Sequence, residues 1–459
     1  MNGPQRTIVV VGGLAAGPSA ASKAARTDPR ARILLFEQSD AISYGICELP
    51  YFVAGEVPER ELVVHTAESL KREKGVDVHL LHKVESLHPG TRRIRVRNLQ
   101  TGLVFDQSYD RLILATGAQP RRLGIPGEDA RNVFHIRTLD SAVHLEKLIG
   151  QERPRRAVIV GAGYIGVEMA EALRTRGIDV TILDTQNLPL QGMAESAREG
   201  VLESLTRHGV TFKGGEGPVS IAAGADGTAT HVLTPHASYP AEVIIIAVGV
   251  VPNTALAVQA GLRVGRSGGI LTDHTQRTSV DTIYAAGDCC EVRNSITNSP
   301  TYIPLATIAS RAGWVAGTNA AGGRARFEGA LRSVAVKVFE CEAVRIGLSE
   351  SEALEARLKP VSQTIVAQSR VGMMPGSKKL TVTLMADRIS GRLLGGTLFG
   401  EEGAVLRAHA LAVALQQRLT VDAFRTTDFA YAPTFSPLWD PLLVAANALA
   451  RELHPTDRP

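Results

Sequence analysis

The sequence predicts an α/β protein with two nucleotide-binding units and a C-terminal α+β segment, and three observations carry that prediction. A strand-like apolar run that breaks at glycines and resumes as a helix opens the chain. The same pattern returns near residue 160, and beyond residue 326 it gives way to alternating strands and one long helix without a nucleotide motif. A chain of 459 residues exceeds what one hydrophobic core serves, and a composition 44 % hydrophobic and 21 % charged belongs to a globular protein of two or three domains.

The first unit reads RTIVVVGGLAAGPSAASKAAR: a β-branched run ends at Gly12-Gly13 and an alanine-rich helix follows. Such a turn gathers backbone N–H groups at a helix N-terminus, where a pyrophosphate is held. Gly12, Gly13 and Gly17 supply the turn, with Leu14 in place of the usual second glycine. The next strand, ARILLFEQ, ends in Glu37, placed to take a ribose hydroxyl. In the second unit, RAVIVGAGYIGVEMAEALRTRGIDVTILD, every element is present, with Gly161, Gly163 and Gly166 in the turn and Asp184 closing the following strand. One glycine pattern alone is as well explained by an ordinary strand-to-helix turn. Two, each with strand, helix and terminal acid, point to two dinucleotides. Asp184 repels a 2′-phosphate and no arginine follows it immediately, which favours NADH over NADPH. In the C-terminal segment, RSVAVKVFE, SQTIVAQS and KKLTVTLMAD read as strands and EEGAVLRAHALAVALQQRL as a helix with an apolar stripe.

Composition excludes several classes. Fifty basic and 46 acidic residues leave a formal charge of only +4 with no long basic run, so nucleic acid is not an expected partner. No run of 18 apolar residues occurs, and the N-terminal apolar run is too short for a signal-peptide core, so a cytoplasmic protein without membrane contact is expected. Cys47, Cys289, Cys290 and Cys341 form neither a disulfide framework nor a zinc spacing, and no metal is expected.

Three further segments, YDRLILATGAQP, EVIIIAVGVVPN and TIYAAGDCCEV, each run a strand into a glycine turn. Their order, with ATG at 115–117 and AAGD at 285–288, resembles the FAD- and NAD(P)H-dependent pyridine nucleotide-disulfide oxidoreductases over nearly the whole chain. The resemblance implies Rossmann-like domains arranged as in glutathione reductase. A discontinuous FAD-binding domain would cover 1–118 and 245–325, an NAD(P)H-binding domain 119–244, and an α+β interface domain 326–459, on which two subunits pair into a homodimer. Without the resemblance, that last domain reads equally as substrate-binding or structural. The implied FAD site comprises Gly12, Gly13, Ala15, Gly17, Glu37, Gln38, Ser43, Val84, Ala115, Thr116, Gly117, Arg137, Gly287, Asp288, Pro304, Leu305 and Ala306. The implied NADH site comprises Gly161, Gly163, Tyr164, Ile165, Gly166, Glu168, Asp184 and Gly249, with Tyr164 covering the flavin until NADH enters and Glu168 near the carboxamide. Tyr164 also reads as a residue that fills core space.

The stretch SYGICELPYFVAG raises the question of Cys47. Most single cysteines are inert and packed. Here Ser43, Tyr44 and Gly45 suggest a turn and Pro50 suits a first helical turn, so a thiol at the helix start would be favoured as thiolate, with the adjacent Glu48 acting against it. The stretch resembles the single-cysteine branch of the family, which holds coenzyme A disulfide reductases, NADH oxidases and peroxidases, and persulfide reductases; C-x-L-P-Y leans toward the first. In that branch the cysteine stands beside the flavin and its disulfide partner is a substrate thiol. Cys289 and Cys290, at a strand-to-helix junction, and Cys341, beside a strand, read as packed residues.

Oxidase and peroxidase members carry a histidine in the first glycine turn, where this chain has Ala15, so the agent that would serve a sulfenate or peroxide is missing. Disulfide reduction instead needs a proton donor. Tyr431, in FAYAPTFSPLWDP, matches a family tyrosine that reaches across the dimer to the cysteine of the other subunit, and its rival reading is an interface tyrosine. Lys23 and Arg26 match positions that contact the nucleotide part of coenzyme A, and Lys71 and Lys74 share a helix face; all four also read as solvated surface residues. Two features depart from the coenzyme A type. Ile46 replaces an asparagine before the cysteine, and Met373 and Met374 replace paired tyrosines. The expected activity is transfer of electrons from NAD(P)H through FAD and Cys47 to a small-molecule disulfide or persulfide, coenzyme A disulfide foremost. The alternatives are an NADH oxidase and a flavoprotein that reduces a protein acceptor. The chain ends soon after the interface domain, so no rhodanese-like extension is expected.

Overall fold

The computed structural model describes residues 5–454. Its first sheet is parallel and places strands in the order Ile283–Ala285, Arg111–Leu114, Thr7–Val11, Arg32–Phe36 and Val76–His79. The central strand is β-branched throughout because both its faces are covered. Ile8 and Val10 pack under the helices Ala16–Thr27 and Ala306–Ala320, while Val9 and Val11 pack with Phe36, Ile94 and Leu112 on the other side. Those two helices meet through small residues: a Cβ on Gly313 or Gly317 would collide with the carbonyl of Ala16 or Ala20.

A second parallel sheet runs Thr211–Gly214, Asp179–Asp184, Arg156–Val160, Val243–Ile246 and Val133–Phe134. Antiparallel three-stranded sheets flank each of these, formed by His82–His88, Arg93–Asn98 and Val104–Ser108 in one case and Ser220–Ala223, Ala229–Leu233 and Ser238–Pro240 in the other. Where the chain leaves the first sheet, Ala118–Pro120 pairs antiparallel with Val250–Pro252, the point at which it returns from the second.

The C-terminal segment is a five-stranded antiparallel sheet, Val334–Val338, Cys341–Gly347, Leu393–Gly400, Lys379–Asp387 and Pro360–Gln368, packed against the helices Ala404–Gln416 and Pro441–Leu453. The expected strands and helix are present. Two strands, Cys341–Gly347 and Leu393–Gly400, were not expected; in the second, Gly395 and Gly396 are required within the strand because a Cβ would press on the carbonyls of Leu348 and Thr383. The helix Ala404–Gln416 is apolar beyond one stripe. Leu411 and Leu415 are buried, whereas Leu406 and Val413 face outward, and Phe435, Leu438 and Trp439 add to the uncovered apolar surface of this segment. No helix among the described residues is long and apolar enough to cross a membrane.

Candidate active site

Both glycine turns are built in the same way. Gly12 has φ 109° and Gly161 φ 103°, in the region that favours glycine, and a Cβ on either would collide with a backbone carbonyl of the neighbouring strand end, Ala115 or Ala247. Gly17 and Gly166 lie against the carbonyls of Gly12 and Gly161, so each helix sits tightly on its turn. The terminal acids brace the turns. Glu37 Oε2 accepts from Gly13 N–H at 2.6 Å and Asp184 Oδ2 from Ala162 N–H at 2.6 Å, while their other oxygens accept from Ser39 N–H at 2.8 Å and Gln186 N–H at 2.7 Å. Neither helix, Ala16–Thr27 or Tyr164–Thr175, has a side-chain cap, which leaves first-turn N–H groups for an anion. The space beside Gly163 is open, as a backbone that a pyrophosphate approaches requires. Each cradle therefore fits a dinucleotide.

Around the first turn the structure gathers most of the expected FAD residues. Ala15 is the exposed N-cap of the first helix, and Ser43 N–H donates to Gly13 C=O at 2.9 Å. Gly287 packs on Ala16, and Pro304 and Leu305 lead into the uncapped N-terminus of the helix starting at Ala306, a second helix end aimed at the same region. Asp288 is held by Arg137 Nη2 at 2.6 Å, with both side chains largely buried. Ala115, Thr116 and Gly117 follow the strand Arg111–Leu114, and Thr116 Oγ1 donates to Asn253 C=O at 2.7 Å. Gln38 is exposed next to Glu37, and Val84 is buried with Phe36. In the second unit, Tyr164 and Ile165 open the helix after Gly163, and Gly249, at φ 96° with open space beside it, accepts from Arg121 N–H at 2.9 Å.

Cys47 is the exposed cysteine of the four; the other three are buried. It precedes the helix Leu49–Ala54, which packs on Tyr164–Thr175 and so brings the thiol to the face shared by the two units. The expected lowering of its pKa is not met. Burial pushes the thiol up despite its open surface, Glu48 and Glu168 raise it further, and Arg137 is outweighed. The helix offers little against this burial, because Leu49–Ala54 spans only six residues and its N-cap is Glu48, whose carboxylate folds back against Gly45. Ile46 packs among the apolar residues of the core beneath. Glu168, in the helix opposite, has its carboxyl pushed up to about 7, by burial first and by Glu171 second.

The remaining candidates are placed less directly. Lys23 lies over the ring of Trp314 at 4.6 Å, Arg26 is exposed one turn on, and Lys71 is paired with Asp77; Lys74 ends the helix Ala67–Lys74, which packs on the helix carrying Lys23 and Arg26. Tyr431 lies in the exposed stretch before Pro441–Leu453, and none of the described hydrogen bonds links it to the Cys47 region. Its segment meets the Met373–Met374 turn, where Val371 N–H donates to Pro433 C=O at 3.2 Å. Cys289 and Cys290 are buried with their sulfurs 3.6 Å apart, but no helix follows them: the chain continues into the short strand Val292–Arg293. Cys341 opens the strand Cys341–Gly347.

Three further residues that brace the site were not singled out in the sequence. Asn253 Nδ2 donates back to Thr116 C=O at 3.0 Å, Tyr302 donates to Asp288 C=O at 2.9 Å, and Glu216 N–H donates to Asp184 C=O at 2.9 Å. Each joins positions far apart in the chain, and only Asn253, beside a proline at the end of a strand, had a local cue. Among the described residues no group of three or more His, Cys, Asp or Glu side chains is arranged to hold a metal ion.

Comparison with known proteins agrees with this architecture. Residues 6–313 match the family model for pyridine nucleotide-disulphide oxidoreductases, and residues 333–441 match the dimerisation domain of the same family. Over 445 residues the chain is 34 % identical to the NAD(P)H sulfur oxidoreductase (CoA-dependent) of Pyrococcus abyssi, covering 97 % of this chain and 98 % of that protein. It is 30 % identical over 448 residues to an NADH oxidase of Methanocaldococcus jannaschii, covering 97 % and 99 %. The crystal structure of reduced CoADR-RHD from Bacillus anthracis superposes with a TM-score of 0.95 at 30 % identity, covering 99 % of this chain and 81 % of that one. Relatives that share one architecture end to end, yet differ in the acceptor their names give, fix the family rather than the substrate: the chain belongs to the pyridine nucleotide-disulphide oxidoreductases, as an NAD(P)H-dependent flavoprotein enzyme.

Proposed function

We propose that this enzyme takes electrons from NADH through FAD and Cys47 to a small-molecule disulfide or persulfide, coenzyme A disulfide first among them. One observation carries the reading. Cys47 is exposed at the junction of the two dinucleotide cradles while every other cysteine is buried, so a disulfide formed at Cys47 has only an incoming sulfur as its partner.

Bound FAD would supply the two-electron carrier between nicotinamide and sulfur. The chain's own residues hold and orient. Glu37 and Asp184 stand where ribose hydroxyls would compete for the carboxylates that now brace the turns, and the uncapped helix ends at Ala16, Tyr164 and Ala306 would receive the phosphates. Arg137 fixes Asp288. Cys47, as thiolate, attacks one sulfur of the substrate disulfide, and the other sulfur leaves as a thiolate that must be protonated. Tyr431 of a second copy is our donor for that proton, since the outward-facing apolar residues around it, Phe435, Leu438 and Trp439, suit a face on which two copies pair as a homodimer. Arg26 and Lys74, without ion pairs among the described residues, are the first candidates for the substrate's phosphates; Lys71 would have to leave Asp77. Ala15, exposed at the helix start, offers no imidazole for peroxide or oxygen chemistry and weighs against the oxidase reading.

The test is Cys47→Ser. The variant should keep its bound flavin spectrum and lose at least about 100-fold of NADH-dependent coenzyme A disulfide reduction. Undiminished turnover would reject the thiol mechanism, and mass loss from Cys47 on reduction of the isolated protein would identify the physiological thiol.

A further inference from the structure

A ring of hydrogen bonds and ion pairs joins the two dinucleotide cradles by way of the C-terminal segment. It starts at the second glycine turn, where Ala162 C=O accepts from Leu190 N–H at 2.9 Å. Leu190, at φ 51°, and Gly192, at φ 91°, both lie in the left-handed region, so this is a tight turn that a leucine rarely enters unaided. Gly192 C=O accepts from Arg345 Nη1 at 3.0 Å. A Cβ on Gly192 would meet that nitrogen at 2.1 Å, so glycine is what lets the guanidinium reach the carbonyl. Arg345, on the strand Cys341–Gly347, pairs through Nη2 with Glu352, whose Oε1 lies 3.2 Å from Arg332 Nε. Arg332 Nη2 donates to Tyr302 C=O at 3.1 Å, the Tyr302 hydroxyl donates to Asp288 C=O at 2.9 Å, and Asp288 is held by Arg137. Arg137 leads into the helix Leu139–Glu152, which shares its core with the second sheet, and there the ring closes.

Arg345 is the costly member. It is 5 % exposed, and its Nε has no acceptor among the described residues. A buried guanidinium with an unspent donor lowers stability where an apolar side chain of similar volume would not, so packing does not account for an arginine here. What its planar fork does is reach two acceptors on different parts of the fold at once, Gly192 of the second unit and Glu352 at the start of the helix Glu350–Glu355. Glu352 is itself held in place, because its Oε2 accepts from Ser349 N–H at 2.8 Å. The second unit is thus fastened to the first both at Gly192 and at Arg137, and neither cradle tilts against the other without stretching a bond of the ring.

We propose that Arg345 is a positioning residue for hydride transfer: through Glu352, Arg332 and Tyr302 it fixes the nicotinamide cradle against the flavin cradle. The proposal rests on NADH and FAD occupying these cradles and is independent of Cys47 and of the electron acceptor. The step it serves is NADH and FAD to NAD⁺ and FADH⁻, in which the hydride carries both electrons. No bond changes within the ring. What the ring sets is the distance over which the hydride travels, and the rate falls steeply when that distance is wrong.

Two readouts test this, one of them without turnover. ADP-ribose fills the second cradle without a nicotinamide to lay on the flavin. In the flavin-loaded wild type it should slow FAD release, followed as flavin fluorescence after dilution, about fivefold. Arg345→Gln and Arg345→Lys should bind ADP-ribose as the wild type does and lose that slowing, since lysine keeps the charge but does not span Gly192 and Glu352 together. On rapid mixing with saturating NADH, both should reduce the flavin about 10-fold more slowly, with the NADH dissociation constant unchanged. Tyr302→Phe cuts the ring at its flavin end and should show the same two losses. Arg345→Gln combined with Tyr302→Phe should be no slower than either alone, because a ring already cut has nothing further to transmit.

Wild-type reduction rates in Arg345→Lys and Tyr302→Phe would overturn the proposal and leave the cofactor assignment standing. So would additive losses in the double variant, a weaker NADH affinity at an unchanged limiting rate, or an ADP-ribose effect missing from the wild type. Failure of NADH to reduce the wild-type flavin would overturn the assignment and this proposal with it. Should Arg345→Gln fail to fold, Glu352→Gln and Tyr302→Phe decide by the same two readouts: equal losses in both support the ring, and wild-type behaviour in either refutes it.

Discussion

The two glycine turns, GGLAAG at 12–17 and GAGYIG at 161–166, are alike in backbone and unlike in side chains. They share the left-handed first glycine, the last glycine against the carbonyl of the first, and the acid that reaches back to the second residue. They part at the middle position, Leu14 against Gly163, and in their surroundings. The first turn is met by a second helix end at Ala306, whereas the second faces the Cys47 helix and a small cleft lined by Glu168. What is shared is what the backbone needs in order to fold so closely on itself. What differs reflects what each cradle must receive.

The largest effect should come from the shared part. Gly17→Ala and Gly166→Ala each drive a Cβ into a backbone carbonyl and should cost about 3 kcal/mol in chemical denaturation; a large cost at one site only would break the parallel. Next come the acids. Asp184→Ala should narrow the preference for NADH over NADPH by roughly 10-fold in direct binding, whereas Glu37→Ala should leave that ratio unchanged and weaken flavin retention; the reverse pattern would exchange the roles of the two units. At the middle position, Gly163→Ala has open space around it, so stability should stay within about 0.5 kcal/mol while NADH affinity falls. A stability loss as great as at Gly166 would mean the openness is not a ligand's. The smallest effect concerns pH. Glu168, with its pKa raised in the folded state, binds a proton that the unfolded chain has already released, so stability should fall as pH rises from about 4.5 to about 7. Glu168→Gln should flatten that part of a melting-temperature profile, and an unchanged slope would remove the burial argument.

Much of this was legible in the sequence because it is local. The run at 8–11, the glycine turns and the acids that end the next strands are consecutive residues whose period and backbone demands declare themselves. The same holds for the alternating strands of the C-terminal segment. The strand Leu393–Gly400 was hidden because its glycines answer to Leu348, just past the end of Cys341–Gly347, and to Thr383 of the strand Lys379–Asp387. The helix Pro441–Leu453 had a proline start and an Asp440 cap that the reading passed over. Arg407, which ties Asp440, Ser369 and Phe435 together and so frames the Tyr431 segment, gave no sign of that task. At Cys47 the helix dipole was a sound local argument overtaken by tertiary facts: a short helix, burial, and a carboxylate from a helix more than a hundred residues on.

The strand Ile283–Ala285 closes one edge of the first sheet, yet it is made after the whole second sheet. During synthesis the nascent first unit must wait with Arg111–Leu114 unpaired on that side while the second takes shape. The ribbon between Ala118–Pro120 and Val250–Pro252 brings the returning chain back beside the end of Arg111–Leu114, about thirty residues before the late strand is made. A nascent chain halted between these two events would be the form of this protein most in need of a chaperone.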